Sequence, residues 1–260
     1  MKPHDRQLLE CRNAYAYPRA YLESLYGGST LPTGVQLPKP ATPERVALTS
    51  QDAWEERHRS LLRSNDSQDA ALGLASIVFW GFYGGSEGGV FAGRALTRAY
   101  WARDGRSPEK GAPDRSLAHA ALQEAARRVD SGDLSGALLA IKGIAEFGQL
   151  SFASKVLAAL APERAAVYDK VIADTLKAGG SVASEYFVSP NQGGITGPKA
   201  DTYARWCELC RHRAAEMNQY GISVSGWDSD GTGKRAWRPV DVERAFFGSR
   251  QVALLFGATR

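Results

Sequence analysis

Residues 134–178 constrain this chain more than any other stretch. From Leu134 to Ile144 apolar residues recur at helical spacing, with Leu138, Ile141 and Ile144 three apart. A short break follows, Ala145-Glu146-Phe147-Gly148-Gln149-Leu150-Ser151. A second helix is expected from about Phe152 to Leu160, ended by Ala161-Pro162. A third begins near Asp169, runs through Ile172 and Leu176, and stops before Gly179-Gly180. Helix, tight hairpin, helix, turn, helix is a pattern that buries its apolar faces only against further helices.

The flanking sequence agrees. Asp69 to Trp80 is almost wholly apolar and reads as a buried helix ending in a glycine-rich loop. Helices are expected at about Phe91–Arg103, Ser116–Val129, Thr202–Asn218 and Val240–Phe247, with a charged one at Ser50–Leu62. Nearer the start, Leu9–Leu25 reads as a helix interrupted near Pro18, residues 27–43 as an extended loop, and another helix begins after Thr42. Period-2 alternation is poor everywhere except Val182–Val188, the one candidate strand. Residues 191–197 and 226–233 read as glycine-rich loops. The expected fold class is all-α.

With 260 residues, 43% hydrophobic and 23% charged, the chain has an ordinary globular composition. It needs no metal or disulfide to hold a core. No run of 18 apolar residues offers a membrane span, and the opening Met1-Lys2-Pro3-His4 leads into no apolar signal core. The three cysteines, Cys11, Cys207 and Cys210, are too few for a disulfide scaffold, so a reduced, cytoplasmic protein is expected. The formal charge of +4 is compatible with a nucleic-acid partner without requiring one.

Two residues carry the chemistry. Lys155 lies in the apolar run Phe152-Ala153-Ser154-Lys155-Val156-Leu157, and Asp169 heads the next helix. Burial disfavours a charged amine, and a neutral amine is a nucleophile. A carboxylate beside it would stabilise positive charge developing on a sugar. The plainer alternative is a helix-capping aspartate and a lysine whose head reaches solvent.

The stretch Leu134–Leu176 resembles the helix–hairpin–helix superfamily of DNA glycosylases. Phe152-Ala153-Ser154-Lys155, then Pro162, then Tyr168-Asp169 is most similar to the bacterial 8-oxoguanine glycosylase-like proteins, and Trp206-Cys207 and Trp237–Phe247 extend the likeness. The resemblance covers about residues 70–250. It implies a two-lobed all-α fold with a flipped base bound between the lobes. Residues 66–165 would form the lobe ending in the hairpin and 166–260 the C-terminal lobe, against which the helices of residues 1–65 would pack.

The resemblance also implies that Lys155 attacks the sugar C1′ and Asp169 assists, with a Schiff base and strand cleavage in bifunctional members. The partner would be double-stranded DNA carrying a damaged or modified base, bound by a monomer. Gly148, Gln149, Ser151, Ser154, Arg94 and Arg98 are the candidate DNA contacts. Trp80, Phe82, Tyr83, Tyr168 and Trp227 are the candidate base-pocket residues. One departure counts: the superfamily's hairpin is Leu-Pro-Gly-x-Gly, whereas this chain has Ile144-Ala145-Glu146-Phe147-Gly148-Gln149-Leu150-Ser151, with one glycine and no proline.

No cofactor and no metal site are expected. Three cysteines cannot supply the four thiolates of the iron–sulfur cluster that some relatives carry. The excised base is left open between oxidised guanine and a hypermodified phage cytosine, hence between DNA repair and antiviral defence. A non-catalytic DNA-binding protein using the same hairpin, and a helical protein–protein scaffold, are the alternatives.

Overall fold

The computed structural model describes residues 3–15, 51–83, 92–104, 115–225 and 234–256. Eleven α-helices lie among them: α1 (Pro3–Asn13), α2 (Gln51–Leu62), α3 (Ser67–Tyr83), α4 (Ala92–Asp104), α5 (Arg115–Ser131), α6 (Leu134–Ile141), α7 (Leu150–Leu160), α8 (Lys170–Ala178), α9 (Gly197–Gln219), α10 (Pro239–Ser249) and α11 (Ala253–Phe256). Two-residue strands β1 (Val224–Ser225) and β2 (Lys234–Arg235) pair antiparallel. The fold is all-α, of the helix–hairpin–helix type, in two lobes.

The first lobe is built on α3, whose residues 70–80 are all buried. A helix apolar on every side can only sit at a centre, and α2, α4, α5 and α7 surround it. The second lobe gathers α8, α9, α10 and α11. The N-terminal α1 joins it, packing along α10 and against α11. The long helix α9 also lies against α6, so the lobes share one hydrophobic core.

Caps set the helix starts that matter. Asp133 accepts from Gly136 N at the head of α6. Asp169 accepts from Val171 and Ile172 N at the head of α8. These satisfy donors that a first helical turn otherwise leaves orphaned. Pro239 opens α10, where Arg238 N donates back to Asp241.

Two expectations are corrected. Residues 182–188 form no strand: Gly180–Tyr186 is a 3₁₀ helix, entered at Gly180 with φ +66° and tightened by Ser184 Oγ donating to Ser181 O at 2.8 Å. Only Ala183 is buried in that segment, so no sheet face exists for alternating residues to fill. The helix α6 ends at Ile141, three residues early, because Ile144 N turns back to Ile141 O at 3.0 Å. The readings for residues 16–50, 84–91 and 226–233 lie outside the described residues. Among the described residues no helix is long and apolar enough to cross a membrane.

Candidate active site

Lys155 sits midway along α7, a helix buried on nearly every side. The residue is 6% exposed, yet its amine reaches a cleft. Gly81 makes this possible: a Cβ there would come within 2.6 Å of the Phe152 ring and 3.3 Å of Lys155 Cδ. With no side chain at that point, α3 approaches α7 closely enough to pin both residues. Lys155 Nζ lies 5.9 Å from the Trp80 ring centroid, 5.7 Å from that of Phe152, and 3.4 Å from Ser151 O. Aromatic faces hold an ammonium without removing its reach.

Asp169 meets it from the next helix, with Oδ2 3.5 Å from Nζ. The other oxygen, Oδ1, accepts the N–H groups of Val171 and Ile172 at 3.0 and 3.2 Å. One oxygen therefore anchors α8 and the other faces the amine. Ser154 fixes the spacing from below. Its Oγ accepts Tyr168 N–H at 2.9 Å and lies 3.2 Å from both Ser151 O and Tyr168 O. The residues preceding each partner, Ser154 and Tyr168, are thus bonded to one another.

The cleft encloses about 590 Å³. It brings together eight of the thirteen candidates named from the sequence: Phe82, Arg94, Arg98, Gly148, Gln149, Ser151, Lys155 and Asp169. A family model described as 8-oxoguanine DNA glycosylase OGG-like protein matches residues 35–247. The chain belongs to this family. No curated protein and no solved structure matches it. Membership carries a DNA-glycosylase type of function, an enzyme that removes a base from DNA.

The remaining candidates of the glycosylase divide clearly. Trp80 is buried, tilted against Trp54 with ring centroids 4.7 Å apart, and offers its face to Lys155. Ser154 and Tyr168 are fully buried and do not line the cleft. The Tyr168 hydroxyl donates to Tyr186 O at 2.8 Å and accepts Val188 N–H at 2.9 Å, and burial pushes its pKa up to about 12. It staples the approach to Asp169 onto the 3₁₀ segment. The side chain of Tyr83, and the whole of Trp227, lie outside the described residues.

The hairpin of the glycosylase is partly covered by its own chain. Leu150 N donates to Pro190 O at 3.2 Å, Gln149 Nε2 to Asn191 O at 3.3 Å, and Ser151 Oγ to Asn191 Oδ1 at 2.6 Å. Ile195 N closes the loop on Gly148 O at 3.2 Å. The glycine-rich loop after Val188 thus lies across the hairpin and takes donors that an anion would otherwise meet.

Sequence reasoning missed Glu146, Asn191 and Lys170, which also line the cleft. It missed Glu243 too, which is 2% exposed on α10. Burial pushes the Glu243 carboxyl up to about 8; Arg244 opposes the rise and Asp169 adds to it. The signal was present for Glu146 alone, as a charged residue where the hairpin pattern has glycine. Among the described residues no group of three or more His, Cys, Asp and Glu is placed to hold a metal ion. Cys207 and Cys210 are buried thiols, pushed up by burial, Cys207 to about 12.

Proposed function

We propose that the chain is a bifunctional DNA glycosylase in which Lys155 and Asp169 do the chemistry. The observation that supports this reading is the 3.5 Å approach of a nine-tenths buried amine to a carboxylate at the wall of a cleft. In the reading, a nucleotide turns out of the duplex into the cleft. The Lys155 proton passes to Asp169, and the neutral Nζ attacks C1′ of the sugar. The bond from C1′ to the base breaks, and the base leaves with its electron pair and takes up a proton. Asp169 hands that proton on to the departing base and, ionised again, faces the positive charge left at C1′ and Nζ.

Ring opening then gives an imine between Nζ and C1′. Loss of a C2′ proton from that imine expels the 3′ phosphate, which is the lyase step. The base is a damaged or modified one, oxidised guanine or a hypermodified cytosine, read from double-stranded DNA by a cytoplasmic monomer. Phe82, beside Arg94, would stack on it. Oxidised guanine would make the activity repair, and a phage cytosine would make it antiviral.

Borohydride trapping tests the reading. Duplexes carrying oxidised guanine, uracil, alkylated bases, glucosylated hydroxymethylcytosine or an abasic site would be incubated with the protein and with Lys155→Ala. A trapped complex on one modified base, lost in the variant, is the expected result. Base release without trapping would convert the mechanism to attack by water. Neither release nor trapping on any duplex would remove the enzyme reading.

A further inference from the structure

Glu146 stands in the hairpin with φ +72°, a left-handed conformation that strains any residue with a Cβ. Its side chain is only 2% exposed, and Oε2 lies 2.8 Å from Arg98 Nη2. Arg98 is itself held by rings, with its guanidinium carbon 5.3 Å from the Phe82 centroid and 5.4 Å from that of Trp101. Both members of the pair line the cleft that contains Lys155.

The placement is unusual in charge. The cleft wall carries Arg94, Arg98, Lys155 and Lys170 against Glu146 and Asp169. Asp169 is committed to Lys155 and to the α8 N-terminus, and Lys170 pairs with Asp174. Glu146 therefore puts a carboxylate on the turn that carries the candidate DNA contacts Gly148, Gln149 and Ser151, and it occupies an arginine suited to a phosphate.

Resting on that proposed function, we propose that the Arg98–Glu146 pair sets specificity by letting the Glu146 carboxylate compete with backbone phosphate for Arg98. A duplex that only lies on the hairpin meets an arginine already neutralised and an anion beside it. A nucleotide turned in as far as Lys155 brings its flanking phosphates into the cleft, close enough to exchange with the carboxylate. The strained glutamate thus weakens binding to ordinary DNA and leaves the extruded state favoured by difference.

The test compares affinity for an undamaged duplex and for the same duplex with one abasic site across a salt series. The proteins are the wild type, Glu146→Gln, and Glu146→Gln combined with Arg98→Gln. Glu146→Gly, which suits the backbone, replaces the single variant if the glutamine form does not fold. The expected result is about fivefold tighter binding of undamaged duplex by Glu146→Gln, with a salt slope steeper by about one. Abasic binding gains less, so selectivity falls, and the gain vanishes in the double variant.

An undamaged affinity that is unchanged or weaker overturns the proposal, as does a gain that survives loss of Arg98. Wild-type trapping on abasic DNA separates the two ideas. Trapping with no gain in Glu146→Gln sinks the specificity role alone, whereas no trapping and no duplex binding sinks both.

Discussion

Asp241 and Asp169 are both carboxylates at the head of a helix in the second lobe, yet their surroundings differ. Asp241 is wholly buried and lies within 2.8–3.6 Å of Arg12, Arg235, Arg238 and Arg244, while Glu55 takes Arg238 and Arg244 from the other side at 2.6 Å. Burial works against its charge, but Arg238 and Arg12 hold the carboxyl far below the usual carboxylate range. Among the described residues Asp169 is ion-paired with Lys155 alone, at 3.5 Å, and it opens onto a cleft. The first cluster is centred on a wholly buried carboxylate and ties α1, α2 and α10 together. The second, in the proposed function, is a pair that parts to let a substrate atom between its members. Buried charge holds a fold only where every charge is answered, and reacts only where one is left able to exchange partners.

The sharpest way to break the comparison is to remove each centre in turn. Lys155→Ala is expected to lower base excision at least about 10³-fold and abolish trapping, with little change in melting temperature. Asp241→Asn is expected to do the reverse. It strands several arginines in the interior, costing about 3–5 kcal/mol of stability, or a drop of roughly 10 °C in melting temperature for a chain of this size. Its excision rate per folded molecule is expected to stay near wild type. A melting temperature that falls more in the lysine variant than in the aspartate variant would show that the roles have been assigned the wrong way round.

The two regions were unequally legible in the sequence. The candidate site was readable because its parts are close in the chain: Lys155 and Asp169 are separated by one helix end and the Pro162 turn. The helices themselves followed from apolar spacing. The Asp241 cluster was not readable, because Arg12 and Asp241 are 229 residues apart and no local pattern announces such a pairing. For the same reason the loop across the hairpin was missed, since Pro190 and Asn191 meet Leu150 and Ser151 only in three dimensions. Ser154 was read as a DNA contact and Tyr168 as a base-pocket residue, whereas both are fully buried and bonded to one another. Adjacency to Lys155 and Asp169 does not say which way a side chain points. In a helix, the residue before a cleft-facing one turns about 100° away from it.

Acid and alkali should expose the two lobes differently. His58, in the first lobe, is wholly buried, 2.8 Å from both Trp54 O and Ser76 Oγ, and burial lowers its pKa from 6.5 to about 4. The unfolded chain binds that proton more readily, so this group removes stability as pH falls from about 6.5 toward 4. Glu243, in the second lobe, has its pKa raised from 4.5 to about 8. Its contribution is fully present below about 4.5 and is lost as pH rises toward 8. Each pH unit in that window costs about 1.4 kcal/mol at most. Melting curves of the wild type and Glu243→Gln are expected to diverge from about pH 5 to pH 8 in favour of the variant, and to run parallel above. The loss below pH 6.5 should persist in the variant. Parallel curves throughout would mean that Glu243 is ionised in the folded protein.

The smallest effect should come from Ser154→Ala, which touches neither charge. The change leaves the buried Tyr168 N–H without its acceptor at 2.9 Å, a loss of about 1–2 kcal/mol. It also unties the residue before Lys155 from the residue before Asp169. If the pair works by the spacing between amine and carboxylate, excision should fall several-fold beyond what the stability loss explains, with Michaelis constant unchanged and turnover reduced. Serine replaced by threonine keeps the hydroxyl and should restore part of the rate. A turnover untouched by Ser154→Ala would mean that the 3.5 Å approach is fixed by the aromatic seat of Lys155 and the α8 cap alone. The open pair would then be as independently braced as the buried cluster.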